Sequence, residues 1–215
     1  HLPLYRLLDG EVSAPLALRV LEGFDRMTLA IVVGQTLDLG FEGRADVASG
    51  DYLGMIDGKT AAIVRFAAWA GALLGGADET AAERFAAFGR ALGLGFQVQD
   101  DLLGVWGDAS QTGKAPADDI RRRKQSLPIL LLRERSDAAA RAELDALYAA
   151  PAIDRDGVAR VLALLAQANV RPVVAAHVAA FHDEAKSALL AAAPNASLWR
   201  DRLSDLVERL AVRSG

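Results

Sequence analysis

An all-α fold is predicted by three features of this 215-residue chain. Alanine and leucine dominate a composition that is 52% hydrophobic, and both favour helix. Clusters of β-branched residues, the usual mark of strands, are few. Glycines and prolines punctuate the chain into helix-length segments with short links. The length suffices to bury a sizeable core in one domain, residues 1–215, with no internal repeat or low-complexity tract.

The elements follow in order. Ser13, with Pro15 soon after, opens a long helix to about Leu39. Glycines at 40, 43, 50 and 54 mark a broken connection holding one short helix. Residues from about Lys59 to Leu74 form the next helix, stopped by Gly75-Gly76. Thr80-Ala81-Ala82-Glu83 has the pattern of a capping box and starts a helix over about Ala81–Leu103. Gly104, Gly107, Gly113 and Pro116 then make a loop. Ser126-Leu127-Pro128 begins another helix, Ser136, Asp154 and Asn195 are caps for later ones, and Arg171-Pro172 opens one more.

Phe96-Gln97-Val98-Gln99-Asp100-Asp101 is the most informative stretch. In a continuous helix Gly93, Gln97, Asp100, Asp101 and Gly104 share one stripe, while Phe85, Phe88, Leu92, Phe96 and Leu103 fall on a largely separate apolar face. Such a stripe is built to line a polar cavity. Two adjacent carboxylates repel unless a cation sits between them or one takes up a proton. Hard oxygen ligands suit Mg²⁺, which usually takes one or two carboxylates plus substrate phosphates. The pair equally fits a solvated helix end, and by itself does not choose.

Lys59 is placed near a helix N-terminus, where the dipole disfavours a cation unless an anion shares the site; Thr60 adds a hydroxyl. Lys114, in a loop, and Lys124, in the basic run Arg121–Lys124, invite the same reading. Each also fits an ordinary surface lysine. His177 and His182 are five residues apart and form no metal pattern. Trp69, Trp106 and Trp199 read as packing residues, and the glycines of 71–76 and 89–95 as sites of close helix approach.

Composition excludes several classes. A net charge of −4, with no basic tract interleaved with aromatics, gives no sign of nucleic-acid binding. Zero cysteines rule out disulfides and zinc thiolates. No uncharged apolar run reaches the ~18 residues of a membrane span. A cytoplasmic location is expected.

The motifs resemble those of the trans-isoprenyl diphosphate synthases, the polyprenyl synthetase family. Phe96-Gln97-x-x-Asp100-Asp101 is similar to that family's second aspartate-rich region. Gly34-Gln35-Thr36-Leu37-Asp38 resembles its Gly-Gln-x-x-Asp helix, and Tyr52-Leu53-Gly54-Met55-Ile56-Asp57-Gly58-Lys59-Thr60 its Lys-Thr segment. Thr112-Gly113-Lys114 and Asp119-Ile120 through Lys124-Gln125-Ser126-Leu127-Pro128 resemble the stretch after the aspartates. Four matches in family order over residues 34–128 are far more specific than any one.

The resemblance implies an isoprenoid-synthase-type helical bundle, of which this chain is the C-terminal portion. It implies a Mg²⁺-dependent prenyltransferase that joins isopentenyl diphosphate to an allylic diphosphate, working as a homodimer. Asp100 and Asp101 would hold metal, with Asp100 the direct ligand. Lys59, Lys114 and Lys124 would bind the diphosphate. Thr60 and Gln97 would set dipoles near the allylic cation, Asp38 would support Lys59, and Gln35 would stand behind them.

Two departures qualify this. Gly104 stands where the family's second motif has its third aspartate, and an aspartate there is expected to be tolerated. Nothing in residues 1–34 matches the first Asp-Asp-x-x-Asp motif, so residues 1–215 alone are expected to show no turnover. A terpene cyclase on the same fold, or a catalytically silent partner of a prenyltransferase, are the alternatives. Product chain length is not legible, because the positions that set it in the family precede the first motif.

Overall fold

A computed structural model describes residues 12–107 and 117–211. Every regular element among them is helical. Helix α1, Ala14–Phe41, follows Ser13 in extended backbone and carries proline in its first turn. Helix α2, Ser49–Ile56, does not stop before Lys59 as expected. It runs through a π-helical turn, Asp57–Ala61, directly into α3, Ala62–Leu74. Lys59 is therefore inside a continuous helical segment, not at a helix N-terminus, and no N-terminal dipole acts against its charge. Gly76, at φ +86°, turns the chain out of α3.

Helix α4, Glu79–Trp106, is longer than expected at both ends. Its cap is Asp78, whose carboxylate accepts from the Ala81 N–H at 2.8 Å, so Thr80 lies within the first turn rather than opening the helix. After a short turn α5, Asp118–Arg121, come α6, Leu127–Arg135, α7, Ala138–Ala149, α8, Arg155–Gln167, α9, Val170–Ala192, and α10, Leu198–Ala211. Asp154 caps α8 as expected. Asp137, not Ser136, caps α7, and the Ser197 hydroxyl rather than Asn195 accepts from the Arg200 N–H near the start of α10.

Helix α4 is the central rod, held between α3 and α9. Its glycines make that contact possible. A Cβ on Gly89 would sit 2.4 Å from the Val64 carbonyl oxygen, and one on Gly93 2.6 Å from the Ala61 Cα. The close approach expected of 89–95 is realised, whereas a Cβ on Gly71 would meet nothing within 4 Å. The larger core lies below the aspartate end of α4, around Tyr52, Ile120, Leu127, Leu130 and Val161; a smaller one joins α4 to α9 and α10 around Phe88 and Leu189. Phe96 departs from its expected apolar face and is 40% exposed. Helix α1 packs on the π turn and α3 but leaves Leu18, Leu29, Val32, Val33 and Leu39 exposed. No single described helix is long and apolar enough to cross a membrane; α8 and α9 pass that test only together, and they meet at a 70° bend.

Candidate active site

Two close contacts bring the predicted residues to one end of the bundle. The first is between α1 and the π turn. A Cβ on Gly34 would lie 2.4 Å from the Lys59 backbone N, and one on Gly58 would lie 3.1 Å from the Ala30 carbonyl oxygen. With no side chain at either place the two backbones touch, and Asp38, one helical turn beyond Gly34, reaches the Lys59 ammonium at 2.5 Å. Widened π turns recur at functional sites because they re-aim side chains within a helix.

The second contact is between α4 and the segment from Ala117 to Leu127. A Cβ on Gly104 would fall 2.4 Å from Oδ2 of Asp119. The expectation that an aspartate fits at 104 meets a close contact: its space holds the Asp119 carboxylate, carried in from another element, which would have to move. Gly93 and Gly104 thus do not expose bare backbone to a cavity; they are contact points that bring Ala61 and Asp119 against α4.

Asp101 is fully buried and is the hub of this end. Its Oδ2 accepts from the Tyr52 hydroxyl at 2.5 Å and the Leu127 N–H at 3.3 Å. Its Oδ1 accepts from the Gln97 amide at 3.3 Å and the Lys124 ammonium at 3.1 Å. A carboxylate offers about four lone-pair sites, and protein donors take all of them. Asp101, expected as a metal ligand, thus has both oxygens engaged by protein donors. Gln97 passes the network on, because its Oε1 accepts from the Thr60 hydroxyl at 2.9 Å. Lys124 also reaches Asp119 at 3.4 Å.

The electrostatics are those of a site short of positive charge. Asp100, half-buried on α4, acts on both Asp119 and Lys124. Burial raises the Asp119 pKa; Lys124 opposes that shift, and Asp101 and Asp100 add to it. Burial works against the charged form of Lys124, yet Asp101 and Asp119 outweigh it and hold its pKa above the usual lysine value. Burial, then the Asp101 charge, pushes the Tyr52 hydroxyl well up, so it stays a neutral donor. Asp100, Asp101 and Asp119 against Lys124 leave an excess of negative charge. That excess beside Asp100 suits a divalent cation shared with substrate oxygens. The cluster does not form an all-protein cage, since the described residues contain no group of three metal-ligating side chains placed to hold an ion.

A cavity of about 940 Å³ opens beside this cluster, with Asp38, Asp119 and Lys124 in its wall along with Arg122, Arg123 and Arg133. Gln35 is exposed on α1 and is not drawn into the network. Lys114 lies outside the described residues. Sequence reasoning gave no role to Tyr52 or Asp119, although both stand inside the quoted motifs. Nothing local marks a tyrosine as the donor to an aspartate 49 residues away.

The chain belongs to the polyprenyl synthetase family, whose model matches residues 4–165. Over 199 residues it is 39% identical to the geranylgeranyl diphosphate synthase of Mycobacterium tuberculosis, covering 91% of this chain and 55% of that protein. It shares 33% identity and a TM-score of 0.86 with a polyprenyl synthetase from Streptomyces coelicolor, covering 96% of this chain and 62% of that one. A geranylgeranyl pyrophosphate synthase from Corynebacterium glutamicum, solved with isoprenyl diphosphate and magnesium, has the same fold at a TM-score of 0.84 and 24% identity. The chain thus has the all-α isoprenoid synthase fold and spans a little over half the length of the first of these relatives.

Proposed function

We propose that this chain carries one wall of a Mg²⁺-dependent prenyltransferase site, which condenses isopentenyl diphosphate with an allylic diphosphate. The observation that carries the reading is the alignment of Lys59–Asp38 and Thr60–Gln97–Asp101–Lys124 at one end of the bundle. An ammonium has three donors. Lys59 gives one to Asp38, and Lys124 gives one each to Asp101 and Asp119, so each retains a donor for a diphosphate oxygen. Lys114 belongs with them by its place in the motif. Asp100 is the proposed ligand of Mg²⁺, which would supply positive charge to the departing diphosphate.

The proposed chemistry needs no protein nucleophile. The allylic C–O bond breaks and its electron pair leaves with the diphosphate, whose growing charge Lys59 and Lys124 meet. The Thr60 and Gln97 oxygens face the allylic cation. The double bond of isopentenyl diphosphate forms the new C–C bond, and the resulting cation loses a proton to a diphosphate oxygen. The named activities of the relatives favour elongation over cyclisation. A homodimer is the expected assembly.

Titration calorimetry with a non-hydrolysable allylic diphosphate tests the reading. Binding should require Mg²⁺, and Asp100→Ala should weaken it more than Asp101→Ala. Equal affinity with chelator and with Mg²⁺ would overturn it. Turnover, followed as extractable prenyl product, should appear only when a first aspartate motif is joined upstream.

A further inference from the structure

We propose that Asp101 is a positioning residue rather than a metal ligand: its buried carboxylate fixes the direction of the hydrogen bonds through Gln97 and Thr60 and holds Lys124 in place. The proposal rests on the prenyltransferase reading for the meaning of those side chains, but its geometry is independent of it.

The direction follows from what each group can donate. An ionised carboxylate only accepts, so the end of the Gln97 amide that faces Oδ1 at 3.3 Å must be the NH₂. That leaves Oε1 toward Thr60, which must then donate its single hydroxyl proton at 2.9 Å. The Thr60 oxygen is left with lone pairs and no proton to give. An oxygen of that kind stabilises a positive carbon and offers nothing to a diphosphate. Reversing the amide would put Oε1 against Asp101 and free the Thr60 proton, turning the same side chain from acceptor to donor.

Asp101 also cannot be replaced by its isostere. On the Oδ1 side stands the Lys124 ammonium and on the Oδ2 side the Leu127 backbone N–H, at 3.1 Å and 3.3 Å. Neither can become an acceptor, so an asparagine NH₂ meets a donor whichever way it turns. The carboxylate is enclosed by residues of α2, α4, and the segment leading into α6, and is 0% exposed. A metal ligand needs an open lone pair, and both oxygens of Asp101 are committed to protein donors.

The test has two arms. In ¹⁵N-glutamine-labelled protein, the Gln97 side-chain amide, assigned by its loss in Gln97→Met, should exchange slowly with solvent. Asp101→Asn should abolish that protection and Asp100→Asn should keep it. In calorimetry, Asp101→Asn should weaken the allylic diphosphate analogue about tenfold at saturating Mg²⁺ while moving the half-saturating Mg²⁺ less than about twofold; Asp100→Asn should shift the Mg²⁺ requirement itself. If Asp101→Asn does not fold, Tyr52→Phe, which removes one donor, should speed exchange of the Gln97 amide. Unchanged Gln97 protection in Asp101→Asn, or in Tyr52→Phe where that variant stands in for it, or a large rise in Mg²⁺ requirement with Asp101→Asn, would overturn the proposal. Absence of any diphosphate binding by the unmutated chain would instead defeat the prenyltransferase reading, and the exchange arm would still decide the role of Asp101.

Discussion

Gly104 and Asp119 show how a residue that reads as a loss along the chain can be a contact point in the fold. Read along the chain, Gly104 is a lost carboxylate; in the fold, its missing side chain admits the Asp119 carboxylate. Gly104→Asp should therefore destabilise the protein by about 1–3 kcal/mol through overpacking, with like-charge repulsion added. Urea unfolding should show the loss, and Asp119→Gly in the same chain should return most of it. His182 yields a second expectation. It is buried on α9 beside Gly95, and burial, then the Lys186 ammonium, hold its pKa below 6.5 against the opposing pull of Asp183. Below that pH the unfolded chain takes up the proton more readily than the folded one, so stability is lost as pH falls. Thermal melts from about pH 7.5 down to about 5.5 should show this decline, and His182→Leu should flatten it. Asp100, Lys59, Thr60, Gln97 and Lys124 were legible as candidate site residues because their types and spacing carry the family pattern. The enclosure of Asp101 was not, since adjacent aspartates look alike until burial separates them.

The helices themselves were largely legible from punctuation, and the exceptions have physical causes. The π turn at Asp57–Ala61 has no sequence signature, and Gly58 inside it is a poor helix former. The glycine instead lets α1 come within contact of the turn, and the chain stays helical through it. Asp78 outranked Thr80 as a cap because both types can accept from the backbone and only the geometry chooses. The touching of α1 and the π turn is a test of how Lys59 is placed. Gly34→Ala would drive a methyl to 2.4 Å from the Lys59 backbone N, which cannot move without the turn. That substitution should cost about 1–3 kcal/mol, and it should weaken the allylic diphosphate analogue as well, since the Lys59–Asp38 pair spans the same contact. Parallel melts and calorimetry check both effects.

At the scale of the whole molecule, the close approach at the glycines of 89–95 was legible, the placing of α4 between α3 and α9 was not, and the candidate site gathers where three separate segments meet its aspartate end. The exposed apolar residues of α1 lay beyond sequence reasoning, which reads a helix face but not what covers it. The enclosure of Asp101 has one more consequence, and it lies in time. Its donors come from positions 52, 97, 124 and 127, so the charge loses water only after helices distant in sequence have docked. Such long-range closure belongs late on the folding path. In the rate-limiting ensemble Asp101 should still be hydrated, and its bonds should add little there. Tyr52→Phe should accordingly speed unfolding and leave the refolding rate almost unchanged, a φ-value near zero in stopped-flow kinetics. The carboxylate that orders the finished site would then act as a latch on the native state, setting how long the assembled wall persists rather than how fast it forms.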